Sequence, residues 1–281
     1  MIVVTGATGN VGQHVVRMLS AQGIAVRALS RQASGHPSLP GVDWMAADFN
    51  SPEQLNAAMQ EAEAVVLISP AHPDMVKHQL AVLEVAKASG SVRKIAKLSG
   101  LGAGPEAPIR LPKAHYQIEQ AIEASQLDYC LVRPFMQVLL GSAGSIAQDG
   151  ALYAPAADGQ ISLTDARDVA AVLAAEIQRP GRSIREITGP EAISYEEIAR
   201  RLSTALERPV RFIHVTPEQA RQSMLDSGLS PWLADAFGEL FGIYRAGHGA
   251  AVLSQAIHDS TGKAAIDFNA FLAEHKGHFR G

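Results

Sequence analysis

A single cysteine, Cys130, stands in 281 residues, so the chain forms no intramolecular disulfide and suits a reducing compartment. Its setting in Tyr129-Cys130-Leu131-Val132 reads as a small core side chain rather than a nucleophile. An excess of positive charge is also lacking. With 24 basic and 28 acidic residues and a formal net charge of −4, nothing in the composition points to the concentrated basic face that nucleic acid or an anionic membrane demands, and neither partner is expected. No apolar run approaches the ~18 residues of a membrane helix. Met1 to Val4 leads straight into glycines, not into a basic and then apolar leader, so a cytoplasmic location is expected. No Gly-x-Ser-x-Gly elbow and no phosphate loop ending in Gly-Lys-Ser/Thr occurs, which removes hydrolase and kinase readings. His248, His258, His275 and His278 lack metal-ligand spacing, and no metal is expected.

Short apolar runs alternate with segments of helical period, the pattern of repeated β-α units and a parallel sheet. The runs 1–5, 24–29, 42–46, 64–68, 94–98 and 127–132 predict six strands. Helices are predicted around Val11 to Leu19, Leu55 to Met59, Met75 to Ala88 and Lys113 to Ser125. This rhythm predicts a Rossmann-type, doubly wound α/β fold with a smaller C-terminal α/β lobe. The expected division is residues 1–150 for the dinucleotide-binding part and 151–281 for the lobe, with some of the lobe's strands returning to the main sheet. Strand-like pieces at 161–163, 185–188 and 210–215 and helices near 166–178, 195–206, 217–227 and 231–244 belong to this half. Asp165 and Asp168 fit the N-terminal dipole of the helix near 166. Loops rich in Gly and Pro are expected at 30–41 and 100–112.

The opening Thr5-Gly6-Ala7-Thr8-Gly9-Asn10-Val11-Gly12 follows a predicted strand and precedes a predicted helix. In such a turn Gly6 permits the reversal, Gly9 lets the backbone approach a pyrophosphate, and Gly12 lets the helix pack close to the strand. Amides around Thr8 to Val11, at a helix N-terminus, would hold the phosphates. The second strand ends Ala28-Leu29-Ser30-Arg31 without the carboxylate that takes a ribose 2′-hydroxyl. Arg31 and Ser30 instead suit a 2′-phosphate, so NADPH is the expected cofactor; the other reading of Arg31 is a solvated loop residue. Asp48, followed by Phe49, either meets the adenine or caps the helix beginning near Ser51.

These residues resemble the NmrA-like atypical short-chain dehydrogenase/reductases. The resemblance rests on the glycine turn, Ala28 to Arg31, Leu98-Ser99-Gly100-Leu101-Gly102-Ala103, His115 through Glu119 to Leu131-Val132-Arg133-Pro134-Phe135-Met136, and Thr188-Gly189-Pro190-Glu191 with Tyr195 and Ile198. It implies an NADPH-dependent oxidoreductase that passes hydride to a quinone-like or other conjugated small molecule. The family also contains NADP(H)-binding regulators that act through a protein partner, and a homodimer stays open as the assembly. Typical short-chain dehydrogenases use a Tyr-x-x-x-Lys pair, yet alignment through Glu119 puts Leu111 at the tyrosine position and His115 at the lysine position.

His115 is therefore the candidate proton donor or nicotinamide-ribose ligand, its alternative being a packing histidine bonded to Glu119. Ser99, at a strand's C-terminal end, and Tyr116, beside His115, complete the catalytic candidates. Ile68-Ser69-Pro70, the loop 100–112 and Phe135-Met136 are the expected walls of the cofactor and substrate pocket, and the loop is a candidate gate.

Overall fold

The computed structural model describes residues 1–135, 139–247 and 253–280. Two compact units interleave along the chain. The first comprises Met1–Pro134, Ala166–Glu186 and Ala256–Lys263; the second comprises Phe135–Asp165, Ile187–Gln255 and Ala264–Gly281. The first segment of the first unit thus ends at Pro134, while the expected division lay at residue 150.

The first unit is built on β1 (Ile2–Val4), β2 (Val26–Ser30), β3 (Val42–Ala46), β4 (Ala64–Leu67), β5 (Lys94–Leu98) and β6 (Asp128–Pro134). All six pair in parallel in the order β3-β2-β1-β4-β5-β6, and strand Arg182–Ile187 adds a seventh beyond β6. This is the Rossmann-type doubly wound sheet expected from the alternation. Val3, Val4, Val65, Val66, Ile95, Ala96, Leu131 and Val132 are buried, as central parallel strands covered on both faces require. One layer contains α1 (Gly12–Ala21) packed on helix Ala166–Glu176; the other contains α2 (Pro52–Ala58), α3 (Met75–Ala88) and α4 (Arg110–Ala124), packed in sequence.

Helix α4 begins at Arg110, so Pro112, expected in the loop, lies in the first helical turn. Proline is tolerated there because that turn's N–H groups have no intrahelical acceptor. Helix α2 is capped by Ser51, whose hydroxyl accepts from the Gln54 amide, and Pro52 opens it.

The second unit holds a parallel pair, Ala151–Ala154 with Arg211–His214, and an antiparallel pair, Gln160–Ile161 with Ile193–Ser194. Helices Tyr195–Leu206, Pro217–Asp226, Pro231–Arg245 and Phe268–His275 surround them. Helix Pro217–Asp226 carries a capping box between Thr216 and Gln219. Among the described residues, no helix is long and apolar enough to cross a membrane.

Thr5 fastens the sheet where the glycine turn begins. It is fully buried, and its hydroxyl donates to the Ile68 carbonyl at 2.7 Å while accepting from the Ile68 amide at 2.8 Å. Thr5→Val keeps the shape but strands both backbone groups, each a buried polar group without its partner. The substitution is expected to lower unfolding free energy by about 1–3 kcal/mol, read as a lower urea midpoint at unchanged slope. An unchanged midpoint would show that the bridge carries no weight.

Candidate active site

The turn after β1 is shaped by close backbone approach. Gly6 has φ +58°, and a Cβ there would lie 2.9 Å from the Ile68 carbonyl oxygen. A Cβ on Gly12 would lie 2.2 Å from the Gly6 carbonyl oxygen, inside any permitted contact. The Gly9 amide donates to Gly6 O at 2.9 Å, and Ala7 N donates to Leu29 O at 3.2 Å, which closes the turn on β2. Thr8, Gly9 and Asn10 are exposed, and Val11 and Gly12 sink into the core. Among the described residues, the amides of Asn10 and Val11 meet no backbone acceptor. Free N–H groups at the start of α1, bare of side chains at positions 6, 9 and 12, fit the diphosphate of a dinucleotide.

At the end of β2, Ser30 is already engaged locally. Its hydroxyl bonds the Gln32 carbonyl, accepts from Gln32 N at 3.1 Å, and lies 2.9 Å from His36 Nε2. His36 stacks on Trp44 with centroids 4.1 Å apart. The sequence offered no spacing that would single out His36. Arg31 is exposed and, among the described residues, forms no ion pair. Asp48 does not cap α2; its carboxylate accepts from the Asn50 amide at 2.7 Å and from the Asn50 side chain at 3.2 Å. Those bonds, the backbone one foremost, hold it below the usual carboxylate range. Phe49 stacks with His78 at 5.6 Å. At the end of β4, Ile68 is buried and Pro70 exposed, while Ser69 accepts from Gln79 Nε2 at 2.7 Å.

The chemistry-bearing groups gather between β5 and α4. Residues 97 and 99 lie two apart on one face of the sheet, and residues 115 and 119 lie one turn apart on the facing helix. Lys97, with no exposed surface, places Nζ 2.9 Å from His115 Nδ1 and donates to Leu98 O at 2.9 Å. Ser99 donates its hydroxyl to Glu119 Oε1 at 2.5 Å. Arg133 on β6 grips the same carboxylate, Nε to Oε1 at 3.0 Å and Nη2 to Oε2 at 2.6 Å, and also bonds Glu186 at 3.1 Å. The Glu119 carboxylate is thus taken by Ser99 and a bidentate Arg133, and His115 pairs with Lys97 rather than with Glu119. Such a fork satisfies a carboxylate with only 1% of its surface exposed.

Gly100 is what lets the His115 ring lie close: a Cβ there would be 2.9 Å from Cδ2 and 3.3 Å from Nε2. Burial, then the charges of Lys97 and Arg133, push His115 well below the ordinary imidazole value, so the ring is neutral. Burial brings the Lys97 ammonium down to about 7, with Glu119 opposing and Arg133 assisting. Tyr116 is partly exposed and, among the described residues, has no hydrogen-bond partner. Phe135 belongs to the second unit, where its ring meets Tyr244 at 5.1 Å; Met136 and His248 lie outside the described residues.

Lys97 and the pairing of Glu119 with Arg133 were not read from the sequence; Gly100 was expected only as the start of a pocket-wall loop, and Glu119 only as an alternative partner of His115. A lysine inside Ile95-Ala96-Lys97-Leu98, a strand with partners on both sides, was the available signal, since an ammonium is costly to bury there.

A glycine turn on a doubly wound sheet, with the neutral His115 imidazole of α4 beside the end of β5, fits a dinucleotide-binding protein of Rossmann type. The chain belongs to the NAD(P)H-binding family, whose profile matches residues 6–180. It is 35% identical over 285 residues to an NAD(P)H azoreductase of Xenophilus azovorans, with 99% of each chain covered. Its structure is similar to that of the NADPH-dependent quinone oxidoreductase QOR2 of Escherichia coli in complex with NADPH, with TM-score 0.86, 25% identity, and 98% and 99% of the chains covered. The Citrobacter triphenylmethane reductase shares the fold at TM-score 0.84 and 21% identity over 98% and 99% of the chains. The protein is an NAD(P)H-dependent oxidoreductase.

The Lys97 shift has a consequence for stability. Between pH 7 and the ordinary lysine range the unfolded chain binds a proton that the folded chain does not, so this contribution to stability rises with pH. Lys97→Met removes it. Urea midpoints measured from pH 7 to 9.5 should show the wild type gaining relative to Lys97→Met. A constant difference between the two would mean that Lys97 titrates normally.

Proposed function

We propose that the protein uses NADPH to reduce quinone-like or other extended conjugated acceptors. The observation that carries this is the equipment of α4 beside the end of β5: Leu111 stands where a tyrosine would, and a neutral His115 lies against Gly100. A carbonyl without conjugation needs a strong proton donor as charge develops; a conjugated acceptor spreads that charge, and positioning supplies more of the rate. The names of the azoreductase and quinone oxidoreductase relatives support an acceptor of this class. A purely regulatory role finds no support in relatives that are reductases by name.

The amides of residues 6–12 would hold the diphosphate, and Arg31 with Ser30 the 2′-phosphate. Asp48 and Phe49 would flank the adenine, and Ile68 to Pro70 would border the nicotinamide half. Bound there, the coenzyme supplies the hydride. His115 offers Nε2 to the acceptor or the ribose, and Ser99, committed to Glu119, keeps the β5 end in place. Tyr116 is the weaker of the proposed catalytic groups, since nothing orients its hydroxyl.

Incubation of the purified protein with NADPH and a panel of quinones and azo compounds should give loss of absorbance at 340 nm for at least one conjugated acceptor. No loss above background with any of them would defeat the reading. For cofactor choice, Arg31→Ala should weaken NADPH roughly tenfold or more, as loss of a charge-assisted contact predicts, and leave NADH nearly unchanged. Equal affinity of the unmodified protein for both coenzymes would remove the role given to Arg31.

A further inference from the structure

We propose that Lys97 is the positioning and proton-relay residue of this site: its amino group fixes His115 as the Nε2–H tautomer and refills Nδ1 when Nε2 gives up its proton. The inference rests on the reductase reading for its second half only; the tautomer stands on geometry.

An ammonium can only donate, so a protonated Lys97 2.9 Å from Nδ1 makes that nitrogen the acceptor and leaves the ring's hydrogen on Nε2. Nε2 lies, with Cδ2, on the ring edge packed toward Gly100, just past the C-terminal end of β5, the edge where ligands of such folds bind. Among the described residues the acceptors around Nζ number two, Leu98 O and His115 Nδ1, while an ammonium carries three hydrogens. The neutral amine matches that pair of acceptors, and the charged form carries one proton in excess. A lysine so placed parts with a proton readily.

The charged groups facing it are few. From α4 comes Glu119, neutralised by the fork of Arg133 from β6, which is itself shared with Glu186. The flanking partners Leu67 on β4 and Leu131 on β6 are apolar. Lys94, on the opposite face of β5, belongs to a separate set with Glu176 and Asp128.

The relay resolves a difficulty of the site. A neutral imidazole that releases Nε2–H without compensation becomes an imidazolate, and an imidazolium is opposed by Lys97 and Arg133. With a quinone, hydride addition leaves an oxyanion, which takes the Nε2 proton. As that N–H bond breaks, Nδ1 forms a bond to a Lys97 proton, and Lys97 ends as the neutral amine. The ring stays uncharged throughout, the quinone gains two electrons and two hydrogens, and one solvent proton restores the starting state.

The test uses the full chain with ¹⁵N-labelled histidine, first without coenzyme. His115 should show a single Nε2–H tautomer. In Lys97→Met the tautomers should mix and the ring should titrate nearer the ordinary imidazole range. Lys97→Gln, which keeps an N–H donor but cannot titrate, should hold the tautomer.

With NADPH and a reducible acceptor, wild-type kcat should fall as pH rises through about 7. Both variants should lose that limb and roughly 10²-fold in kcat, the usual share of a general acid, with KM for NADPH little changed. A tautomer and pH profile in both variants identical to wild type would overturn the proposal. If Lys97→Met does not fold, the glutamine variant and the wild-type titration decide. If no acceptor is reduced by the wild type, the reductase reading fails, and the tautomer measurement still decides whether Lys97 positions His115.

Discussion

The approach of the first turn of α1 to the turn after β1 is the constraint on which the rest depends. With Gly12 packed on the Gly6 carbonyl and Gly6 itself in the left-handed region, the chain reverses within a few residues. The helix start is thereby brought over the edge of the sheet. Thr5 locks that reversal to β4, so the turn and the end of β4 move as one piece. Everything placed at the C-terminal edge of β2, β4 and β5 is then positioned relative to one row of amides. The parallel pairing of six strands makes this edge common to all of them.

A second principle governs the β5–α4 side. Its ionisable groups are sorted by how they are neutralised. The Glu119 carboxylate is satisfied at both oxygens by Ser99 and Arg133. His115 and Lys97 lie within hydrogen-bonding distance of one another, and burial biases both toward their neutral forms. A site organised in this way avoids an unpaired buried charge, which would cost several kcal/mol.

Much of this was legible in the sequence. Strands β3 and β5 and helix α3 were readable to the residue, because each is a short apolar run or a long periodic segment bounded by turn residues. The glycine turn was readable because its requirement is local. Helix Ala143–Asp149 and strand Ala151–Ala154 were not, being too short to show a period, and the strand finds its partner about sixty residues away. His115 and Ser99 were candidates by position, and Glu119 was readable as a neighbour of His115 on one helix face. The partners actually bonded were not readable, since Lys97, Glu119, Arg133 and Glu186 come from four elements that only tertiary packing brings together. Pro112 misled for a simpler reason: a proline in the first turn of a helix looks the same in sequence as a proline in a loop.

If the amides between residues 6 and 12 hold the diphosphate of NADPH, backbone amide NMR during titration with NADPH should show saturable shifts concentrated at Gly9, Asn10, Val11 and Gly12, with Arg31 shifting alongside. A spectrum unmoved by NADPH, or shifts that leave this turn untouched, would contradict it.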